Sequence, residues 1–320
     1  MRPPFEISDE VNRMIGGIER LLGRYEGLQS PRPLPRLRRS VRVRTIRDSL
    51  AIEGNTLSLE QATTVLEGKR VVAPARDILE LQNANAAYER LQEWRPYSIQ
   101  DFCGAHRALM SGLIPSAGRW RAGGVGIAKG EEIAHVAPPA DRVNGLIKDL
   151  MRFAKDESTP MLVRAAVVHY EIEFIHPFED GNGRMGRLWH TLLLYRYHPA
   201  FEFVPLESII RERQKDYYAV LGNCDRAGTA TAFVEFGAAV VEEALQRFME
   251  NLKVEPITSS HRIETAARHF GEREFSRKHY AVLFPKLSTA TASRDLRKGV
   301  ELGRLEKTGE KALTRYRFAD

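Results

Sequence analysis

The sequence predicts a mainly α-helical protein: a helical core carrying one small β-hairpin, then a smaller C-terminal unit of three helices and a hairpin. Three observations predict it. Apolar residues recur at three- and four-residue spacing along most of the chain, as in Val11, Ile15, Ile18 and Leu22. Short alternating runs, the mark of strands, occur in pairs at Val125-Gly-Ile127 with Ile133-Ala-His-Val136, and again between Leu302 and Phe318. Residues 251–260, with Pro256, read as a linker between the two parts.

Composition narrows the class. A chain of 320 residues suits about two domains. Its 43% apolar and 8% aromatic content supports an ordinary core. No apolar run approaches the ~20 residues that span a bilayer, and the start, Met1 to Glu6, lacks the apolar core of a signal peptide. Cys103 and Cys224 are too few for a disulfide framework, and no Cys/His cluster has zinc spacing. A cytoplasmic setting is expected. The net charge of +6 is uneven: residues 256–320 hold 14 Lys/Arg and 8 Asp/Glu, while the other 255 residues balance at 34 of each sign. An acidic partner is therefore sought at the C-terminal segment.

In chain order, a helix is expected within residues 1–30, broken by Pro31-Arg-Pro-Leu-Pro35. Arginines recur from Arg36 to Arg47, and the next helix carries Val43, Ile46 and Leu50. It stops at Gly54-Asn55, which leaves Glu53 in the last turn, where the helix dipole disfavours a carboxylate by about 0.3–1 kcal/mol. A broken local rule often marks a functional position. Ser58 caps a short helix over 58–70, and another runs over 76–95 to Pro96. Ser98 caps a helix over 99–112, whose His106 falls on an apolar face and reads as a core histidine. The hairpin turns at Ala128-Lys-Gly-Glu-Glu132. Helices follow at 141–155 and 161–174; the second is apolar enough to be the buried centre, with His169 structural. Helices over 213–225 and 229–250 close the core.

Between them lies His176-Pro-Phe-Glu-Asp-Gly-Asn-Gly-Arg-Met-Gly-Arg187. Met185, Leu188, Trp189 and Leu192 continue it at helical spacing, so Gly181-Asn182-Gly183 opens a helix. Helix openings present unpaired N–H groups and partial positive charge, which bind phosphate. Arg184 and Arg187 lie three apart and can reach one anion. Asp180 beside such a cradle calls for a cation between carboxylate and phosphate, and Mg²⁺ is the natural one. His176 is the group here able to take a proton near neutral pH. Phe178 reads as an apolar anchor for the loop.

This stretch resembles the signature of the Fic family, H-P-F-x-[D/E]-G-N-G-R-x-x-R, at every fixed position. The resemblance implies a Fic helical core and transfer of a nucleotide monophosphate, usually AMP from ATP, to a hydroxyl of a protein substrate. It implies a nucleotide site of Asp180, Gly181, Asn182, Gly183, Arg184, Met185, Gly186 and Arg187, with His176 as catalytic base and Asp180 as the Mg²⁺ ligand. Ser49…Glu53-Gly54 matches the family's inhibitory motif [S/T]-x-x-x-E-[G/N], so Glu53 is expected to occupy Arg187, the γ-phosphate arginine. In some relatives the same glutamate assists removal of AMP. The hairpin stands where the family has its target-positioning flap, with Ile133, Ala134, His135 and Val136 the expected contacts. Tyr217, in Tyr217-Tyr-Ala-Val-Leu221, matches the position implicated in walling the adenine pocket. Asp225 stands where Asn is usual, which leaves adenine preference less defined than the chemistry.

Three parts follow: residues 1–97 with an inhibitory helix at about 40–54, a catalytic core at 98–250, and a C-terminal unit at 256–320. The last resembles a winged helix-turn-helix, with Thr289, Thr291, Arg294 and Arg297 available to a DNA major groove. A nucleotide-sensing DNA-binding transcriptional regulator is therefore the alternative to an enzyme. A homodimer is admitted but not required.

Overall fold

The computed structural model describes residues 2–28, 35–124, 126–129, 132–252, 259–285, 287–310 and 313–319; for 35–37, 126–129, 132–136 and 261 it describes the backbone alone. The chain divides into two compact units, Met1–Leu252 and Lys253–Asp320. The parts expected at 1–97 and 98–250 fall within the first.

In the first unit the described helices are α1 (Asp9–Glu26), α2 (Pro35–Ile52), α3 (Leu59–Leu66), α4 (Ala75–Glu89), α5 (Ile99–Met110), α6 (Ala140–Lys155), α7 (Met161–Ile175), α8 (Asn182–Tyr197), α9 (Leu206–Glu212), α10 (Gln214–Ala227) and α11 (Thr231–Asn251). Strands β1 (Gly126–Lys129) and β2 (Glu132–Val136) pair antiparallel, with an irregularity between Ile127 and Ala128. Ser58 accepts from Gln61 N while the Gln61 side chain accepts from Ser58 N, a reciprocal cap that stabilises α3 by about 1 kcal/mol. Helix α9 and the 3₁₀ turn Pro199–Phe203 were not expected from the sequence. None of the described helices is long and apolar enough to cross a membrane.

Helix α7 is apolar on every side, so it is surrounded by protein rather than half-wetted. Its neighbour α8 comes in close because Gly186 has no side chain: a Cβ there would lie 2.7 Å from His169 Cδ2. This pair sets the loop between them, which carries the signature. Helix α2 is fixed over it by buried Val43, Ile46, Leu50 and Ile52. Asp48 of α2 accepts from Ser208 Oγ at 2.5 Å and Arg211 Nη1 at 3.1 Å on α9. The last α2 carbonyl, Ile52, accepts from Gln214 Nε2 at 2.9 Å and Tyr218 Oη at 3.2 Å, so α10 caps it.

The second unit holds α12 (Ser259–Phe270), α13 (Arg277–Leu283), α14 (Thr289–Glu301) and the hairpin β3 (Leu305–Thr308) with β4 (Arg315–Phe318). A bridge joins Phe275 to Tyr316, and Ala266, Phe275, Tyr280, Ala292, Leu296 and Leu305 form its core. The breaker at 31–34, most of the linker at 251–260, and the side chains of Ile133, Ala134, His135 and Val136 lie outside the described residues.

Candidate active site

Helix α7 ends at His176, whose backbone is left-handed (φ 48°, ψ 59°), the one non-glycine with positive φ among the described residues. Such a conformation costs about 1–3 kcal/mol and persists where its surroundings fix it. It turns the chain out of α7 and into the loop. His176 Nδ1 lies 3.3 Å from the carbonyl of Glu173, an obligate acceptor, and a proton on Nδ1 would leave Nε2 as the nitrogen that can take one.

The loop is pinned from below. Phe178 is fully buried and its ring stacks on His106 at 3.6 Å. His106 Nδ1 accepts from Gly118 N at 2.8 Å, which obliges Nε2 to donate to the Asp180 carbonyl at 2.8 Å. Burial lowers the His106 pKa to about 4, so the ring stays neutral. Gly181 has φ 85°, and a Cβ there would lie 2.7 Å from Met110 Sδ, so only glycine fits.

Asn182 is 1% exposed; its amide donates to Phe178 O and accepts from Phe178 N, both at 2.9 Å. Its side chain therefore shapes the loop, and its own N–H is what it can offer an anion. Helix α8 starts here, with its first N–H groups open to the cradle.

Both signature arginines are buried, at 5% and 1% exposure, and both are held by carboxylates. Arg184 reaches Asp180 Oδ1 at 3.0 Å and Glu80 Oε1 at 3.3 Å. Glu80 also accepts from Asn55 Nδ2 at 3.0 Å, which links the end of α2 to Arg184. Arg187 donates through Nη2 to Glu53 Oε1 at 2.6 Å and to Ser49 O at 3.0 Å, and through Nε to Ser49 Oγ at 3.0 Å. Burial alone would lower its pKa; Glu53, Tyr217 and Glu173 outweigh that and keep it raised. Arg184 Nε and Arg187 Nη1 remain buried donors with no acceptor among the described residues. Glu53 sits just past α2 rather than in its last turn, over the α8 opening: a Cβ on Gly183 would lie 2.4 Å from Glu53 Oε1.

Three of the expected nucleotide-site residues, Met185, Gly186 and Tyr217, face the core, and Asp225 is half-buried. Met185 is fully buried, and Gly186 faces His169 and Glu173, so both line the core rather than the cradle. Helical rotation of about 100° per residue turns them inward. Tyr217 is 1% exposed, with its hydroxyl donating to Glu173 Oε1 at 2.9 Å; the ring its neighbours leave 40% exposed is Tyr218. The Tyr217 side chain thus faces the core, and Tyr218 faces outward. Asp225 accepts from Tyr170 Oη at 3.0 Å. Asn55 reads in the sequence only as a helix stop, and Glu80 and Arg121, which donates to the His176 carbonyl at 2.7 Å, had no sequence signal beyond their charge.

An imidazole, a helix N-terminus and two buried arginines thus come together beneath one carboxylate. Residues 96–194 match the Fic/DOC family. The crystal structure of a Fic family protein from Desulfovibrio desulfuricans G20 is similar over 100% of this chain and 98% of that one, at 40% identity and TM-score 0.76. The chain belongs to the Fic family. Among named relatives, protein adenylyltransferase fic-1 of Caenorhabditis elegans is 31% identical over 254 residues, 75% of this chain and 48% of that protein. A solved fragment of C. elegans Fic-1 matches 76% of this chain and 73% of its own length, at 26% identity and TM-score 0.61. The chain spans about half the length of the curated relatives it matches.

Proposed function

We propose that this chain is a protein adenylyltransferase that moves AMP from ATP to a Ser, Thr or Tyr hydroxyl of a target protein. The observation that carries this is the pair of buried arginine donors without acceptors, beside a helix N-terminus that a carboxylate now covers. Buried donors left unmet are costly, and a polyphosphate would satisfy them. The α- and β-phosphates would meet the N–H groups of Asn182 to Arg184, that of Gly181 being held by Asp180 Oδ1 at 2.6 Å, and Arg184 and Arg187 would meet the β- and γ-phosphates. His176 Nε2 takes the hydroxyl proton, the oxygen attacks the α-phosphorus, and pyrophosphate leaves.

Asp180 fits Mg²⁺: its side chain is 41% exposed beside the cradle, and Mg²⁺ is commonly held by one carboxylate together with substrate phosphates. When bound, the ion neutralises polyphosphate charge.

Glu53 makes the resting protein autoinhibited, because it occupies Arg187 and the α8 opening together. The same carboxylate is suited to aid AMP removal once product replaces ATP. The hairpin, through Ile133 to Val136, aligns the target, and residues 1–97 serve as the inhibitory part of a core at 98–250. Free Cys103 and Cys224 suit the reducing cytoplasm.

Incubation of Glu53→Gly protein with ATP labelled at the α-phosphate should give covalently labelled protein, and label at the γ-phosphate should not transfer. Equal labelling by a Glu53→Gly, His176→Ala double variant would overturn the base assignment.

We infer a second, separate contact for residues 256–320, with duplex DNA through a winged-helix unit. The single carboxylate within 288–300, Asp295, turns inward to Arg262 at 2.5 Å and Tyr280, leaving Arg294, Arg297 and Lys298 on the exposed side of α14. A mixed-sequence duplex should bind more weakly at about 200 mM than at about 50 mM salt, and Arg294→Glu with Arg297→Glu should lose it. Absence of wild-type binding would remove this reading. DNA retention altered by ATP, with no covalent label, would favour a nucleotide-sensing DNA-binding transcriptional regulator.

A further inference from the structure

We propose that Arg121 is a positioning residue that ties the roots of the hairpin to the strained backbone of His176, so that target alignment and base alignment are one structural unit. Arg121 is 5% exposed. Its guanidinium donates through Nε to His176 O at 2.7 Å and through Nη1 to Gly123 O at 2.7 Å. Nη2 donates to Pro138 O and to Ile175 O at 3.3 Å, and the Arg121 backbone N–H reaches Pro177 O at 3.0 Å. Gly123 and Pro138 stand just before β1 and just after β2, so one side chain closes the hairpin at its base. Ile175, His176 and Pro177 bracket the left-handed residue, so the same side chain holds the peptide units around it.

Among the described residues every acceptor this guanidinium meets is a backbone carbonyl, none a carboxylate. A buried cation with no counterion among the described residues is an expensive way to brace a loop, and burial lowers the Arg121 pKa. What arginine supplies is a planar fork whose donors point in several fixed directions at once. A lysine could reach one or two of these carbonyls, not four spread over three segments. The arrangement accounts for how a residue with an unfavourable φ keeps one orientation while a flexible target is laid on the hairpin beside it.

The inference rests on the adenylyl-transfer reading, and the test separates the two. Glu53→Gly protein is compared with Glu53→Gly carrying Arg121→Lys or Arg121→Gln. Self-labelling from α-labelled ATP is expected to fall at least 30-fold in both, with ATP affinity by calorimetry changed less than threefold, since Arg121 touches no cradle group. Tryptic cleavage at Lys129 in the hairpin should rise at least fivefold, a readout independent of activity. Lysine should not rescue. If Glu53→Gly protein itself transfers no label, the activity reading falls and this inference with it. If it transfers label and the Arg121 variants match it in label and in cleavage, the inference alone falls. Should the variants not fold, hydrogen exchange of the unaltered protein decides: amides of 126–136 and 175–178 should open together, and clearly different opening free energies would overturn the link.

Discussion

Replacing Glu53 with glycine should tighten ATP binding and loosen the fold at the same time. Glu53 makes a charge-assisted bond of 2.6 Å to Arg187, and such bonds are worth about 1.5–3 kcal/mol. Its side chain is 33% exposed, so solvent screens it and the lower part of that range, about 1.5–2 kcal/mol, applies. ATP must displace this contact, and each 1.4 kcal/mol is about tenfold in affinity. Removal should therefore lower the ATP dissociation constant about 10- to 30-fold. The unliganded fold loses the partner of a cation that is 1% exposed, so its unfolding temperature should drop without nucleotide. Saturating ATP with Mg²⁺ should restore it. The assay is calorimetric titration of ATP in a His176→Ala background, which blocks turnover, together with thermal unfolding. Unchanged affinity, or a variant more stable than its parent without ATP, would refute the reasoning.

Charge reversal at Arg187 gives a sharper version: a Glu53→Gly, Arg187→Glu double variant should transfer no label, and activity there would remove the γ-phosphate role. Gly186→Ala should cost about 1–3 kcal/mol of stability in urea unfolding, because its Cβ would fall 2.7 Å from His169 Cδ2; a neutral change would mean α7 and α8 separate easily. Burial raises the Glu207 pKa to about 7 from 4.5. The folded form thus resists ionising this group, whose contribution to stability is greatest below about pH 4.5 and declines as pH rises through about 7. Glu207→Gln should then gain in unfolding temperature relative to wild type on going from pH 5 to pH 8; a constant difference would exclude the shift.

How legible the molecule was depended on whether the relevant contacts are local. The signature from His176 to Arg187 is contiguous, so its turn, helix opening and charges could be read directly. The Ser58 and Ser98 caps act over three residues and were equally readable. Pro199 and Pro205 bracket the 3₁₀ turn, which therefore reads as loop, and α9 escaped because its 7 residues are too few to show a helical period. Tyr217 and Tyr218 are adjacent, and a 100° rotation decides which is core; packing against Phe233 and Phe236 settles it in a way no local pattern shows. Arg121 meets His176 across 55 positions and Glu80 meets Arg184 across 104, so neither partnership leaves a local trace.

The carboxylate over Gly183 has a consequence beyond blocking. In this nest of cations and amides Arg184 already has Asp180 and Glu80, and Glu53 is the carboxylate that meets Arg187. Glu53 acts as a placeholder anion, letting the nest assemble in finished form before any nucleotide arrives. On the proposed function, activation would be a swap of one anion for another on a surface already built.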